Sequence, residues 1–214
     1  MRRYILILAI AAGLFVPFWG FSQTLVGIRG GITLPTPTLL LRSIPEDGSS
    51  VGPRFAFSGG VQYIASNQDL LSLELQMLWL QYAYTVVGEI GRMGIESDSY
   101  LSLPILLRIS QSPGSLRFFG FVGPELEYHF DETSQFEGKT THALLNGDPL
   151  KLSLLFGFGL EKTLSEHLTC SLDLGYQISL RTLDLLDSDI HDPMADNLRL
   201  MFGMMYAMMY AMNP

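Results

Sequence analysis

Residues 168–180 read LTCSLDLGYQISL, with apolar and polar side chains alternating without a break. Leu168, Cys170, Leu172, Leu174, Tyr176, Ile178 and Leu180 fall on one face; Thr169, Ser171, Asp173, Gly175, Gln177 and Ser179 fall on the other. A period of two is the signature of a strand with one apolar and one polar side. The same period recurs in 24–33, 54–65, 70–87, 98–110, 116–130, 151–162 and 196–212, so the chain offers about eight strands and no segment with a convincing helical period.

Composition says what those strands face. Of 214 residues, 48% are hydrophobic and only 16% charged, against about 25% charged in a soluble domain. Mean hydropathy is +0.27. Beyond residue 23, however, no run approaches the ~20 apolar residues of a transmembrane helix. Hydrophobicity distributed by alternation fits strands that cross a membrane, each needing about 9–11 residues.

The connections predict the topology. Segments 34–53, 131–150 and 181–195 are long, 88–97 is intermediate, and 66–69, 111–115 and 163–167 are short. Short turns at one end and longer loops at the other are the pattern of a transmembrane barrel. In lipid every backbone N–H and C=O must be paired internally, so the sheet must close. The expectation is an all-β fold: a closed antiparallel up-and-down transmembrane β-barrel of about eight strands over 24–214.

A soluble lipocalin-like barrel that holds a hydrophobic ligand alternates too, with its apolar face inside. Two features oppose it. The polar face is Ser, Gly, Gln and Thr with scattered charges, unlike a Lys-rich soluble exterior, and small residues suit a narrow lumen. The apolar face carries Leu, Phe, Tyr and Trp in series, overfull for an interior but suited to lipid.

Residues 1–23 read as a signal peptide: Arg2 and Arg3, an apolar stretch over 4–19, then Gly20 and Ser22 before a cleavage near Gln23 or Thr24. Export is implied. Removing Arg2 and Arg3 takes the formal net charge from −8 to −10, and no basic stripe supports nucleic-acid binding. Cys170 is the single cysteine, so no internal disulfide is available.

The segments YLSLPILLRI (100–109), FFGFVGPELEY (118–128) and LLFGFGLEKTL (154–164), with VGIRGGI (26–32) and Gly59–Gly60, resemble the PorT-type outer-membrane β-barrel family, close to the small OmpA-, OmpX- and OmpW-like barrels. The resemblance spans the chain after residue 23. It implies a cell outer-membrane location, contact with outer-membrane lipids, assembly by the barrel-insertion machinery, and a structural, surface-interaction or small-solute-passage role without catalysis. Such barrels commonly end in an aromatic residue, whereas this chain ends Tyr210-Ala211-Met212-Asn213-Pro214. A closed barrel needs no partner to fold, so a monomer is expected.

The polar face carries a nearly balanced set of charges: Arg29, Arg54, Arg108, Arg117 and Arg199 against Glu74, Glu125, Glu127, Glu161 and Asp173. Sharing one narrow lumen they should pair, because an unpaired buried charge is costly. The expectation is a salt-bridged plug, the alternative being charges solvated at the rims. No metal site or cofactor is expected. Asp184, Asp187, Asp189, Asp192 and Asp196 with His191 match no calcium loop and read as a solvated acidic loop. The methionines of 204–212 read as lipid-facing filler rather than soft-metal ligands. A lipid-modifying enzyme would draw on His129, Glu127, Ser110, Ser153 or Ser179. Nucleophile-elbow, HExxH and P-loop motifs are all missing, so no catalytic residue is assigned.

Overall fold

The computed structural model describes residues 23–35, 50–67, 70–87, 93–111, 115–136, 139–143, 150–180 and 196–208. Their strands are β1 (Gln23–Pro35), β2 (Ser50–Arg54), β3 (Ala56–Asn67), β4 (Leu71–Val87), β5 (Met93–Gln111), β6 (Leu116–Phe136), β7 (Lys139–Ala143), β8 (Leu150–Thr163), β9 (Leu168–Ser179) and β10 (Asn197–Met208). Every pairing is antiparallel. β1 bonds β3 on one side and β10 on the other, and β4–β5 pairing completes the ring. β2 and β3 serve as one barrel strand along β4, and β7 is a side hairpin on β6, so the closed wall has eight strands.

The barrel turns its polar face inward. Buried positions include Ser58, Gln62, Ser72, Glu74, Ser102, Ser153, Ser171 and Gln177, whereas Phe118, Phe158, Leu172, Phe202 and Tyr206 are exposed on the outer wall. A lipocalin-like cup with its apolar face inside is therefore excluded. Gln23 and Met208 lie at the same end as the tight connections after β3, β5 and β8. Leu164 N–H donates to Leu168 O at 2.8 Å within the last of these.

Two elements depart from the expected strand limits. β6 continues to Phe136 and folds back through β7, so part of 131–150 is a hairpin rather than loop. β2 spans 50–54, so residues 50–53 of the expected long connection are strand. A wall made of β2, β4, β5, β6 and β7 thus rises at the loop end, past where β1, β9 and β10 stop. Residues 1–22 and 209–214, and 181–195 of the acidic segment, lie outside the described residues, so the signal peptide and Tyr210 do too. Cys170 is a free, half-buried thiol.

Packing inside the wall relies on glycines set against aromatics. Phe119 and Phe121 are buried in the lumen with Leu106 and Leu155. A Cβ on Gly157 would come within 2.5 Å of Phe121 Cζ and collide with Leu174 O; on Gly159 it would strike the Phe119 ring. At Gly120 the nearest atom is Gly157 O, 3.7 Å away. Gly157→Ala should therefore destabilise the barrel by about 1–3 kcal/mol, and Gly120→Ala should fall within ~0.5 kcal/mol of the parent. Urea unfolding followed by the loss of heat-modifiable gel mobility measures both.

Candidate functional site

The lumen is filled in layers. At the short-turn end Leu25, Ile64, Met205 and Ala207 form an apolar floor. Above it lies a charged layer drawn from β1, β4, β5, β6, β8 and β9. Arg29 Nη1 donates to Glu74 Oε1 at 3.0 Å, and Arg29 Nη2 reaches both oxygens of Asp173 at 2.7 Å. Arg108 lies 3.6 Å from Glu74, bonds Glu161, and sits 3.6 Å from the centre of the Phe119 ring. Arg117, the most exposed of the three cations, meets Glu161 at 3.7 Å. Gln76 donates to Glu74 at 2.7 Å.

Apolar side chains separate this layer from the next: Phe119, Phe121, Leu106 and Leu155 on one side, Leu78, Leu80 and Met201 on the other. The upper charged layer centres on Arg199, 2% exposed. Its Nη1 donates to Glu125 at 2.6 Å, and its Nη2 to Glu127 at 3.1 Å, to Tyr82 Oη at 2.9 Å and to Gln177. Tyr82 O–H in turn donates to Glu127 at 2.7 Å, Ser102 donates to Glu125, and Gln177 donates to Ser153 at 2.8 Å. Asn197 donates to Gln177 at 3.1 Å. These groups come from six strands, so the network ties the wall together across its diameter.

At the mouth His129 stacks on Tyr100 with ring centres 4.5 Å apart and approaches Asp98 at 3.5 Å. Lys151 donates to Tyr100 Oη at 2.9 Å, and Tyr84 donates to Asp98 at 3.3 Å.

Nine of the ten charges expected on the polar face lie inside the barrel in these two layers. Arg54 does not. It stands opposite Ala83, an outward position between Tyr82 and Tyr84, whereas Ser58 stands opposite the inward Leu80. Two residues of β4 separate Leu80 from Ala83, but three separate Arg54 from Ser58. The extra residue reverses the phase and places Arg54 on the outside.

A family model described as an outer membrane protein beta-barrel domain matches residues 21–184. The chain belongs to that family. It is an outer-membrane β-barrel protein. Among solved structures, OprG of Pseudomonas aeruginosa is similar at 15% identity and a TM-score of 0.52, covering 89% of this chain and 98% of OprG. The N-terminal barrel of OprF from the same organism is 11% identical with a TM-score of 0.49, covering 88% of this chain and 99% of that one. Ail of Yersinia pestis is 12% identical with a TM-score of 0.44, covering 87% and 99%. Among curated proteins none matches this sequence.

In this outer-membrane barrel the serines, His129 and Glu127 are divided among the short-turn end, the upper charged layer and the mouth. Ser110 is near the short-turn end, where its N–H donates to Leu70 O at 2.8 Å, while His129 is at the mouth. Ser153 accepts from Gln177, and Glu127 is engaged by Arg199 and Tyr82. Among the described residues no group of three or more His, Cys, Asp or Glu is placed to hold a metal ion.

Several partners in the network were missed by charge counting: Tyr82, Gln177, Asn197, Ser102 and Ser153. The signal for Tyr82 was present. Extending the inward phase Ser72, Glu74, Gln76 through the apolar run 77–80 reaches Tyr82.

Asp98 and Glu96 lie beyond the apolar band, at the level of Gln81, Ala83 and Thr85 on the neighbouring strand. Burial raises the Asp98 carboxyl from 3.8 to about 6, an effect partly offset by His129 and Lys151 and reinforced by Glu132. Burial and Glu132 raise Glu96 as well. A folded-state pKa above the unfolded value means the native mouth holds the proton more tightly, so this contribution is fully present below pH 3.8 and lost as pH rises through about 6. Hydrogen-exchange protection factors in 93–99, which divide out the pH dependence of intrinsic exchange, should be larger at pH 4 than at pH 8, and Asp98→Asn should flatten that dependence while leaving the acid-side value unchanged. An unaltered slope in the variant would count against the assignment.

Proposed function

We propose that this outer-membrane barrel is non-catalytic and closed to bulk flow, a structural and surface-presenting protein whose lumen is stoppered by its own side chains. The observation that carries the reading is the alternation of apolar and charged layers, with both charged layers buried and cross-paired. An aqueous channel would need those groups to face water. Here Glu125 and Arg199 are 0% and 2% exposed. The segments 100–109, 118–128 and 154–164 support grouping the chain with the PorT-type barrels within the family, and Arg2 and Arg3 followed by the apolar stretch 4–19 support reading residues 1–23 as its export signal.

In planar bilayers the refolded full chain should show no steady conductance. Arg199→Ala leaves Glu125 and Glu127 buried without their cation and should cost about 3–5 kcal/mol of stability, measured by urea unfolding, with intermittent channel opening. Steady conductance in the parent would overturn the stopper. The export reading predicts a mature amino terminus at residue 23 or 24 in protein taken from the outer-membrane fraction, read by N-terminal sequencing.

A further inference from the structure

Arg54 is the one cation of the polar-face set that the fold turns outward. The one-residue bulge at Phe55 does this, and bulges commonly serve to re-aim a side chain. Arg54 is exposed and makes no ion pair with another described residue. It stands at the loop end of the wall, above the outward Phe57.

Directly below it the outer wall has a notch. Across β10, β1, β3 and β4 the register runs Phe202, Gly30, Gly59, Trp79. The two central positions have no side chain: a Cβ on Gly30 or Gly59 would meet only a backbone oxygen at ordinary contact distance, Ser58 O at 3.6 Å and Arg29 O at 3.5 Å. Two of the side chains flanking the glycines along β1 and β3 are bare, whereas Ile32 is half-buried. Phe57 is 71% exposed and Ile28 66%, against 41% for Trp79 and 50% for Phe202. Strands are about 4.8 Å apart, so Phe202 and Trp79 bound a depression, closed above by the Ile32–Phe57 pair and below by Ile28–Val61, into which part of an acyl chain fits. From Gly59 to Arg54 is about 13 Å, the four-residue rise from Trp79 to Ala83 on the paired strand, which sets the cation near the head of a lipid whose tail occupies the notch.

We propose that Arg54 and this notch form a binding site for a phosphate-bearing anionic lipid of the outer leaflet, with the phosphate on the Arg54 guanidinium and one acyl chain against Gly30 and Gly59. Charge complementarity selects the occupant: a cation with no ion pair among the described residues, beside an apolar depression at the membrane surface, favours an anionic amphiphile over a zwitterionic one.

Trp79 borders the notch and reports on it. In the full chain carrying Trp19→Phe it is the only tryptophan. The protein is reconstituted in phosphatidylcholine vesicles holding a minority of either brominated phosphatidylglycerol or brominated phosphatidylcholine at equal mole fraction. The brominated anionic lipid should occupy the quenching site with about fivefold preference, the enrichment one arginine produces at an anionic surface. Arg54→Gln should reduce the two lipids to parity, Arg54→Lys should retain most of the preference, and Gly30→Leu should weaken quenching by both. Heat-modifiable mobility establishes that each variant is folded. Equal quenching in the parent, or a preference that survives Arg54→Gln, overturns the proposal. Trp79 shielded from both lipids would mean that a second copy of the chain covers the notch, which also overturns it.

Discussion

The hydrogen-bonded seam between Gln23–Pro35 and Asn197–Met208 is the constraint on which the rest of this barrel depends. An open sheet edge in hydrocarbon would leave a row of backbone donors and acceptors unpaired, at several kcal/mol each. Closing the ring removes both edges at once. It also forces the polar faces of eight strands into one narrow interior, where arginines and carboxylates distant in sequence become neighbours. Arg29 and Asp173 are 144 residues apart and 2.7 Å from each other.

That crowding has a double consequence. A buried charge is costly unless it is paired and hydrogen-bonded, and Arg199 bonds two carboxylates, a tyrosine and a glutamine through its two Nη atoms while its Nε is left without a hydrogen bond. The apolar layers around these networks keep water out, which strengthens each electrostatic contact and raises the cost of losing one. The glycines of β8 and β9 belong to the same arrangement, because Phe119 and Phe121 fit within the lumen only where the opposing wall lacks side chains.

The loop end follows different physics. There β2, β4, β5, β6 and β7 extend past the apolar band, and Asp98 and Glu96 both feel the Glu132 carboxylate at the mouth without the full cation complement of the layers below. The same end carries Arg54 outward. The barrel therefore presents an acidic mouth on its inner side and a cation on its outer side, and a single bulge separates the two environments.

Alternation along Leu168–Leu180 and its seven counterparts determined the strands, their two faces and the short and long connections, because side-chain direction in a strand is a local property of the backbone. The same local rule identified nine of the lumen charges. It could not foresee Arg54, since a bulge is fixed by pairing with β4 and leaves only a phase slip at Phe55. The same phase carries Leu78, Leu106, Phe119 and Met201 inward, but their stacking into layers between the charges depends on what stands across the lumen. Which carboxylate meets which arginine, and that Tyr82 and Gln177 complete the upper network, were decided by closure of the ring. Strand order and shear set those distances, and neither is written in any one segment of the chain.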